Sequence, residues 1–493
     1  QTLSYQPDAE PVRWTCDGSS SYEMTTGSRT ARGTDIILHV NEDGARYLTA
    51  WSMREILEKY CSFMAVPVYL LDPETEAKDA SSESEAEPKE PAKPEPINDV
   101  TPLWARSPKD CTEEDYKAFY RKVFRDYRDP LFWIHLNMDY PFNLKGILYF
   151  PKLGNEFESA EGQVKLYCNQ VFVADYVKEI IPEFLLLLKG AVDCPDIPLN
   201  VSRSFLQNDG YVKKISEYIT KKVADKLCQL YANQREDYEK YWADIHPFIK
   251  YGCLRNEKFL ERVQDSVIYQ SAVSEKYVTL PEYLDAAKET HENKVFYTTD
   301  PVQQAQYIKI LKDQGMDVLS LAAPIDPAFI SLLESKNTDV HFLRVDSDLS
   351  SYLRDADNPA QTADQEKLQT LFRQVLSKET LTVRLESLKD AGICGMIELT
   401  EESRRMQDMM KLYGGLGLTG LNSEPDEVLV LNQNNALIHH LLTQTETAPS
   451  ETDTLLVHQI YGLARLSHTS LTAEELTAFL SRSQALMEKL IEQ

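Results

Sequence analysis

Long apolar runs are missing from this chain of 493 residues. No stretch of about 18 uncharged apolar residues occurs, so no membrane partner is expected. The greasiest run, IIPEFLLLLKGAV from Ile180, is interrupted by Pro182, Glu183 and Lys189. Positive charge is short as well: 52 Lys and Arg stand against 78 Asp and Glu, a net charge of −26. Nucleic-acid binding needs clustered cations facing phosphate, so nucleic acid is not an expected partner either. The eight cysteines are scattered without a C-x-x-C and read as reduced, mostly buried thiols of a cytosolic protein. The chain also lacks H-E-x-x-H, G-x-x-x-x-G-K-[ST] and G-x-S-x-G, which removes the usual zinc-protease, P-loop and hydrolase readings.

Near-motifs dissolve in their context. Gly415, Gly417 and Gly420 have the spacing of a dinucleotide fingerprint. That motif should follow a strand, and here it follows SRRMQDMMKLY, a helical pattern, so its glycines end a helix and make a loop. His439 and His440 are adjacent, but no Cys, Asp or Glu stands at ligand spacing beside them, and packed or solvated histidines are the reading. HENKV from His291 lacks a second histidine. Met406, Met409, Met410 and Tyr413 form one apolar helix edge, which is either core or an interaction surface.

What is there divides into about three domains, since 493 residues exceed a single core. Residues 34–40 (TDIILHV) alternate as a strand. Met53, Ile56, Leu57, Tyr60 and Phe63 then recur at helical spacing, and 66–71 (VPVYLL) reads as another strand. Residues 72–99 are rich in Glu, Ser, Ala and Pro and nearly free of apolar side chains, the composition of a disordered acidic linker. Beyond it Thr112 caps a helix with Tyr116, Phe119, Tyr120 and Val123 on one face. FWIHLNM, LKGILYF, KLYCNQVFVA, KVFYTTD, MDVLSLA and VHFLRV read as strands. A long helix carries Val212, Ile215, Ile219, Val223, Leu227 and Leu230 as its stripe. Strands alternating with helices predict α/β layers. A polar break at 355–364 precedes a mostly helical end, whose last helix opens on a capping box of Thr472 and Glu475.

One loop stands out. IPLNVSRSFLQND, residues 197–209, breaks an apolar run into Asn200, Ser202, Arg203 and Gln207 before a new helix. A loop arginine is ordinarily solvated. Here the following helix turns unpaired N–H groups toward the same loop, and Arg203 gains nothing from that dipole unless an anion comes to both.

The stretch from Leu166 to Gly210, LYCNQVFVADYVKEIIPEFLLLLKGAVDCPDIPLNVSRSFLQNDG, resembles the middle domain of the 90-kDa heat-shock protein chaperone family in its bacterial form. RGTDIILHV and WSMREILEKYCSFMAVPV resemble the last part of that family's N-terminal ATPase domain. PLWARSPKDCTEEDYKAFY and VTLPEYLDAAKETHENKVFYTTD resemble its middle domain, and SRRMQDMMKLYGG with LVLNQNNALIHHLL its C-terminal domain. The resemblance implies that Arg203 senses the γ-phosphate of bound ATP, with Gln207 as its loop companion. Phe172 matches an apolar residue that steadies this loop against the ATPase domain, and Thr34, after Gly33, matches the threonine at the adenine end of the pocket. An arginine brought in from outside a nucleotide site is worth about 10³ to 10⁵ in rate in GTPases, an upper bound here.

The family's general-base glutamate, magnesium-binding asparagine, adenine-reading aspartate and glycine-rich lid have no counterparts before Thr34. The expectation is a fragment: an ATPase using ATP/ADP with Mg²⁺ in the full-length protein, and a chain that alone neither holds nucleotide tightly nor turns it over. Tyr127 stands where many relatives have tryptophan, and the tail MEKLIEQ lacks the acidic peptide that recruits helical-repeat co-chaperones.

The resulting fold class is multi-domain α/β. Residues 1–71 are the remnant of an α/β ATPase sandwich and 72–99 the linker. Residues 100–354 are an α/β middle domain, and 355–493 a mostly helical α+β dimerisation domain. The expected function is an ATP-dependent, cytoplasmic, homodimeric clamp for unfolded or partly folded client proteins, with clients along the middle domain and the Met406, Met409 and Met410 helix. The alternative is a dimeric client-binding scaffold that never uses nucleotide.

Overall fold

A computed structural model describes residues 1–71, 95–152, 163–175, 180–185, 187–197, 209–346, 362–399, 427–444, 449–469 and 471–491. The chain opens with β1 (Thr2–Leu3), β2 (Val12–Thr15), β3 (Glu23–Thr26) and β4 (Gly33–Thr34), an antiparallel sheet of order β3-β2-β1-β4. None of its residues is buried. The strand expected over 34–40 stops after Thr34, because only Gly33 and Thr34 find ladder partners, in Leu3 and Thr2. Ile36, Ile37 and Leu38 stand 81, 66 and 80% exposed. Alternation identifies a face, but a strand also needs a neighbour.

Helix α1 (Ala50–Cys61) follows, capped by Thr49, whose hydroxyl accepts the Ser52 N–H at 3.2 Å. The strand expected at 66–71 is absent too. Val68 is gripped by a side chain instead: its N–H donates to Asn98 Oδ1 at 2.7 Å, while Asn98 Nδ2 donates to the carbonyls of Met64 and Val66. Asn98, at the end of the expected linker, is thereby buried.

The middle of the chain is built on two five-stranded sheets. In the first, β5 (Phe132–Met138), β6 (Leu144–Phe150), β7 (Val164–Cys168), β8 (Val171–Ala174) and β9 (Lys189–Asp193) run in the order β5-β6-β9-β7-β8. Both faces are covered, so β6 reads as a nearly continuous apolar run. Its period of two sorts the side chains: Leu144, Leu148 and Phe150 join the large core under the helices. Ile147 and Tyr149 face Trp104 and α2 (Glu113–Phe124). The expected capping residue Thr112 is in place, reciprocated by Asp115. KLYCNQVFVA is two strands rather than one. Asn169 and Gln170 both take positive φ, 52° and 63°, and turn the chain back as a hairpin.

Helices α3 (Asp209–Asn233), α4 (Arg235–Arg255) and α5 (Glu257–Val263) cover the other face and carry the core on to the second sheet. That sheet has β10 (Ile268–Ser271), β11 (Tyr277–Thr279), β12 (Lys294–Thr298), β13 (Leu319–Ser320) and β14 (His341–Arg344), in the order β11-β10-β13-β12-β14. MDVLSLA pairs only at Leu319 and Ser320. Helices α6 (Leu280–Ala287), α7 (Ala305–Asp313) and α8 (Asp326–Lys336) complete the layer, and a buried Lys250–Asp326 ion pair at 2.5 Å ties α4 to α8.

The C-terminal part is α+β. Helix α9 (Thr362–Leu376) begins inside the polar break expected at 355–364. Strands β15 (Thr382–Glu386), β16 (Gly395–Leu399) and β17 (Glu427–Asn432) pair in the order β15-β17-β16. Helices α10 (Ala436–Gln444), α11 (Glu451–His468) and α12 (Ala473–Ile491) follow. The Thr472–Glu475 capping box is formed. Among the described residues no helix is long and apolar enough to cross a membrane. All eight cysteines are free thiols, but only Cys168, Cys194 and Cys253 are buried and the other five are half-exposed, short of the mostly buried set expected.

Candidate functional site

Arg203 and Gln207 lie outside the described residues, as do Met406, Met409, Met410 and Tyr413 and the glycines at 415, 417 and 420. The chain on both sides of Arg203 is described. Strand β9 leads into Cys194, whose N–H donates to the Tyr167 carbonyl at 3.0 Å. Asp196 then takes the Asn143 backbone N–H at 2.7 Å and its side-chain amide at 3.1 Å, and Ile197 is buried. On the far side the chain resumes at Asp209, the first residue of α3.

Beside this stem sits the hairpin between β7 and β8. Asp193, at the end of β9, is buried, and its Oδ2 accepts the Gln170 N–H at 3.1 Å. Burial pushes its carboxyl up from the usual range, against the pull of that N–H and of the Trp104 indole. Asp193 Oδ1, Trp104 Nε1 and Gln170 Oε1 are buried without a well-formed hydrogen bond. The stem of the Arg203 loop is therefore tied to the turn that presents Phe172.

Phe172 is 7% exposed and packs edge-on against Tyr60 of α1, 5.7 Å away, and Tyr167, 5.9 Å away. Lys59 Nζ stands 5.9 Å over the Phe172 ring. Phe63, just past α1, enters the same aromatic cluster at 4.6 Å from Trp104 and 5.5 Å from Tyr167. The N-terminal segment is thus docked on the β7–β8 edge. Cations gather there: burial lowers the Lys165 ammonium, Arg125 and Lys59 lower it further, and Asp175 opposes them. A second anchor stands at the start of β9. Asp126 accepts from Lys189 Nζ at 2.7 Å and the Tyr120 hydroxyl at 3.0 Å. Burial works against this carboxylate, but these donors and the Arg128 N–H bring it down to about 2.

Gly33 and Thr34 lie in β4, on the exposed N-terminal sheet. Gly33 has φ +136°, which favours glycine, and a Cβ there would meet the Arg29 guanidinium. Thr34 Oγ1 bonds Thr2 Oγ1 at 2.8 Å. Tyr127 is 87% exposed. His440 pairs with Asp453, 3.2 Å away, a partner that sequence spacing does not reveal. Among the described residues no group of three or more His, Cys, Asp or Glu could hold a metal ion.

Sequence reasoning singled out Phe172 and missed Asp193, Gln170, Asp196 and Asn143. The one available signal was the Asn169–Gln170 pair, since asparagine tolerates a left-handed turn.

A family model described as Hsp90 protein matches residues 89–493. The chain is 40% identical over 455 residues to the chaperone protein HtpG of Porphyromonas gingivalis, covering 90% of this chain and 65% of that one. It is 39% identical over 460 residues to the HtpG of Bacteroides thetaiotaomicron, 91% of this chain and 66% of that one. With the HtpG of Bordetella pertussis it shares 27% identity over 97% of its length. The chain spans just under two thirds of the length of the first two relatives.

Proposed function

Since this chain belongs to the Hsp90 protein family, we propose that it is the client-handling and dimerising part of a molecular chaperone driven by ATP. The observation that carries the reading is the joint at Phe172. Helix α1 packs on the hairpin whose turn is bonded to Asp193, and Asp193 leads directly into the stem of the Arg203 loop. A shift of the N-terminal segment on Phe172 therefore bears on the stem that carries Arg203 and Gln207. In the complete protein Arg203 meets the γ-phosphate of ATP held with Mg²⁺ by the N-terminal domain, and Gln207 supports it. Thr34 and Gly33 belong to the adenine end of that pocket. Hydrolysis releases the loop, and the two closures alternate as populations of one clamp.

Unfolded or partly folded proteins are the partners in this reading, with nucleic acid and membrane outside it and the cytoplasm as the compartment. Homodimerisation falls to α11 and α12. Leu463 and Leu466 on α11, with Leu480, Met487 and Ile491 on α12, are 37 to 85% exposed. Exposed apolar rows on paired helices suit a self-complementary interface.

Sedimentation of the chain, with and without Leu480→Asp and Met487→Asp together, tests this part, scored beside suppression of aggregation of a heat-unfolded client enzyme. A dimer that suppresses aggregation and falls to monomer in the double variant is the expected result. A monomer at micromolar concentration contradicts it.

A further inference from the structure

A cavity of about 650 Å³ opens between the β15–β17 edge and helices α11 and α12. Its wall is apolar at Leu376, Leu381, Val428, Leu471 and Ala478 and polar over the larger share, and its volume is in the range of small-molecule sites. Three cations and two carboxylates face it: Lys378, Arg465 and Arg482 against Glu427 and Glu475.

Most of these charges are already engaged. Arg465 pairs with Glu475, which also accepts the Thr472 N–H at 2.9 Å. Glu427 accepts the Tyr461 hydroxyl at 3.1 Å, and Lys378 Nζ stands 5.5 Å over the Tyr461 ring. Arg482 is the exception. Among the described residues no acceptor reaches its guanidinium, and its Nε is buried without a partner. Burial also pulls its pKa down, an unusual state for an arginine. Gly462 is why it sits so close to α11. A Cβ at that position would come within 2.8 Å of the Phe479 ring and 3.6 Å of Arg482 Nη2.

This face is separate from the one assigned to self-association. At 3.6 residues per turn, Leu480 and Met487 lie roughly 140–160° around α12 from Arg482, and Leu463 lies about 160° around α11 from Tyr461 and Arg465. A second copy seated on the exposed leucines would leave the cavity open. The charge count also says what fits. Three cations against two carboxylates leave one positive charge, and burial, then Arg482, lowers the pKa of His458 on the same wall. A monoanion balances that, whereas a polyphosphate would bring excess charge toward Glu427 and Glu475.

We propose that this cavity binds an organic monocarboxylate with an apolar body, its carboxylate forked on Arg482 and its body against Leu376, Leu381 and Val428. Arginine is suited to that planar, two-point recognition. The acid is either a free small molecule or the C-terminal carboxylate of a peptide, since both present the same group.

Titration calorimetry on the full chain tests the proposal with 3-phenylpropanoate, 3-phenylpropanol, acetyl-alanyl-phenylalanine and pyrophosphate as probes. At least one of the two acids should bind saturably. The alcohol and Arg482→Gln should each weaken binding by about tenfold or more, the scale of a charged hydrogen bond. Arg482→Lys, which keeps the charge and loses the fork, should fall between. Tighter binding of the small acid assigns the source to a free molecule, and tighter binding of the dipeptide to a polypeptide end. No saturable binding of either acid overturns the proposal. So does binding unchanged by Arg482→Gln in a variant with the parent's melting curve, or pyrophosphate binding as tightly as the acids.

Discussion

The joint between the second five-stranded sheet and the C-terminal sheet, set beside the sheet of β1 to β4, shows how differently apolar sequence can be used in one chain. At the joint, Phe296, Tyr307, Leu311 and Val318 from one side and Leu388, Met396 and Val430 from the other form one continuous buried cluster. Polar groups cross it fully enclosed. Arg344 Nε meets Asp346 Oδ1 at 2.5 Å, Gln304 Nε2 donates to Asp346 Oδ2 at 3.1 Å, and His468 Nδ1 stands 3.3 Å from the same oxygen. The Tyr307 hydroxyl donates to the Ile397 carbonyl at 2.7 Å. In and beside the N-terminal sheet, by contrast, Trp14, Tyr22, Met24 and Ile36 to Leu38 are all more than half exposed. The lesson is that a hydrophobic side chain contributes only through the neighbours that cover it. The first region is a stiff coupling, and the second is a surface without a core of its own.

The sharpest way to break this contrast is Asp346→Ala. It removes the buried carboxylate that Arg344, Gln304 and His468 share, so a loss of about 3–5 kcal/mol is expected from urea unfolding. A loss below about 1 kcal/mol would mean that the joint is looser than its geometry says. Phe63→Ala probes the intermediate case, the aromatic dock of the N-terminal segment. Phe63 is 3% exposed among Trp104, Phe119 and Tyr167, and about 3 kcal/mol should be lost.

Acid should separate the contributions further. Burial, then the neighbouring Lys250, lowers His246 in α4 to about 4. Its neutral form is the folded one, so the stability it contributes is present above about 6.5 and lost as pH falls toward 4. Burial opposes the Asp346 carboxylate, yet His468 and Arg344 hold it at about 2, so its contribution goes later, between about 4 and 2. Urea midpoints measured against pH should fall in those two windows, and Asp346→Asn should remove the lower one. The smallest effect belongs to the exposed segment that follows the open sheet: Ile37→Ser should change stability by no more than about 0.5 kcal/mol.

These cases also mark what could be read from the residues alone. FWIHLNM, LKGILYF, the long helix from Asp209 and the caps at Thr112 and Thr472 were legible, because local periodicity and side-chain caps decide them. The strands expected at 34–40 and 66–71 failed because ladder partners are a property of the whole fold. The Asn98 clamp, the Asp193–Gln170 tie and the Arg344–Asp346–His468 cluster join residues far apart in sequence, and no spacing rule could have paired them. At the candidate site, Phe172 was legible through family resemblance alone, while the residues that hold the loop stem were not.

The central claim is that Arg203 acts on nucleotide held by another part of the protein, through a stem tied to the α1 dock. It is tested most directly by ATP turnover in the chain extended with the ATPase segment of a relative, compared with the unextended chain, each with and without Arg203→Ala. Turnover confined to the extended protein and lost by about 10³-fold without Arg203 is the predicted result. Turnover unchanged by Arg203→Ala, or none in either form, would contradict the account and leave a scaffold that binds clients without nucleotide.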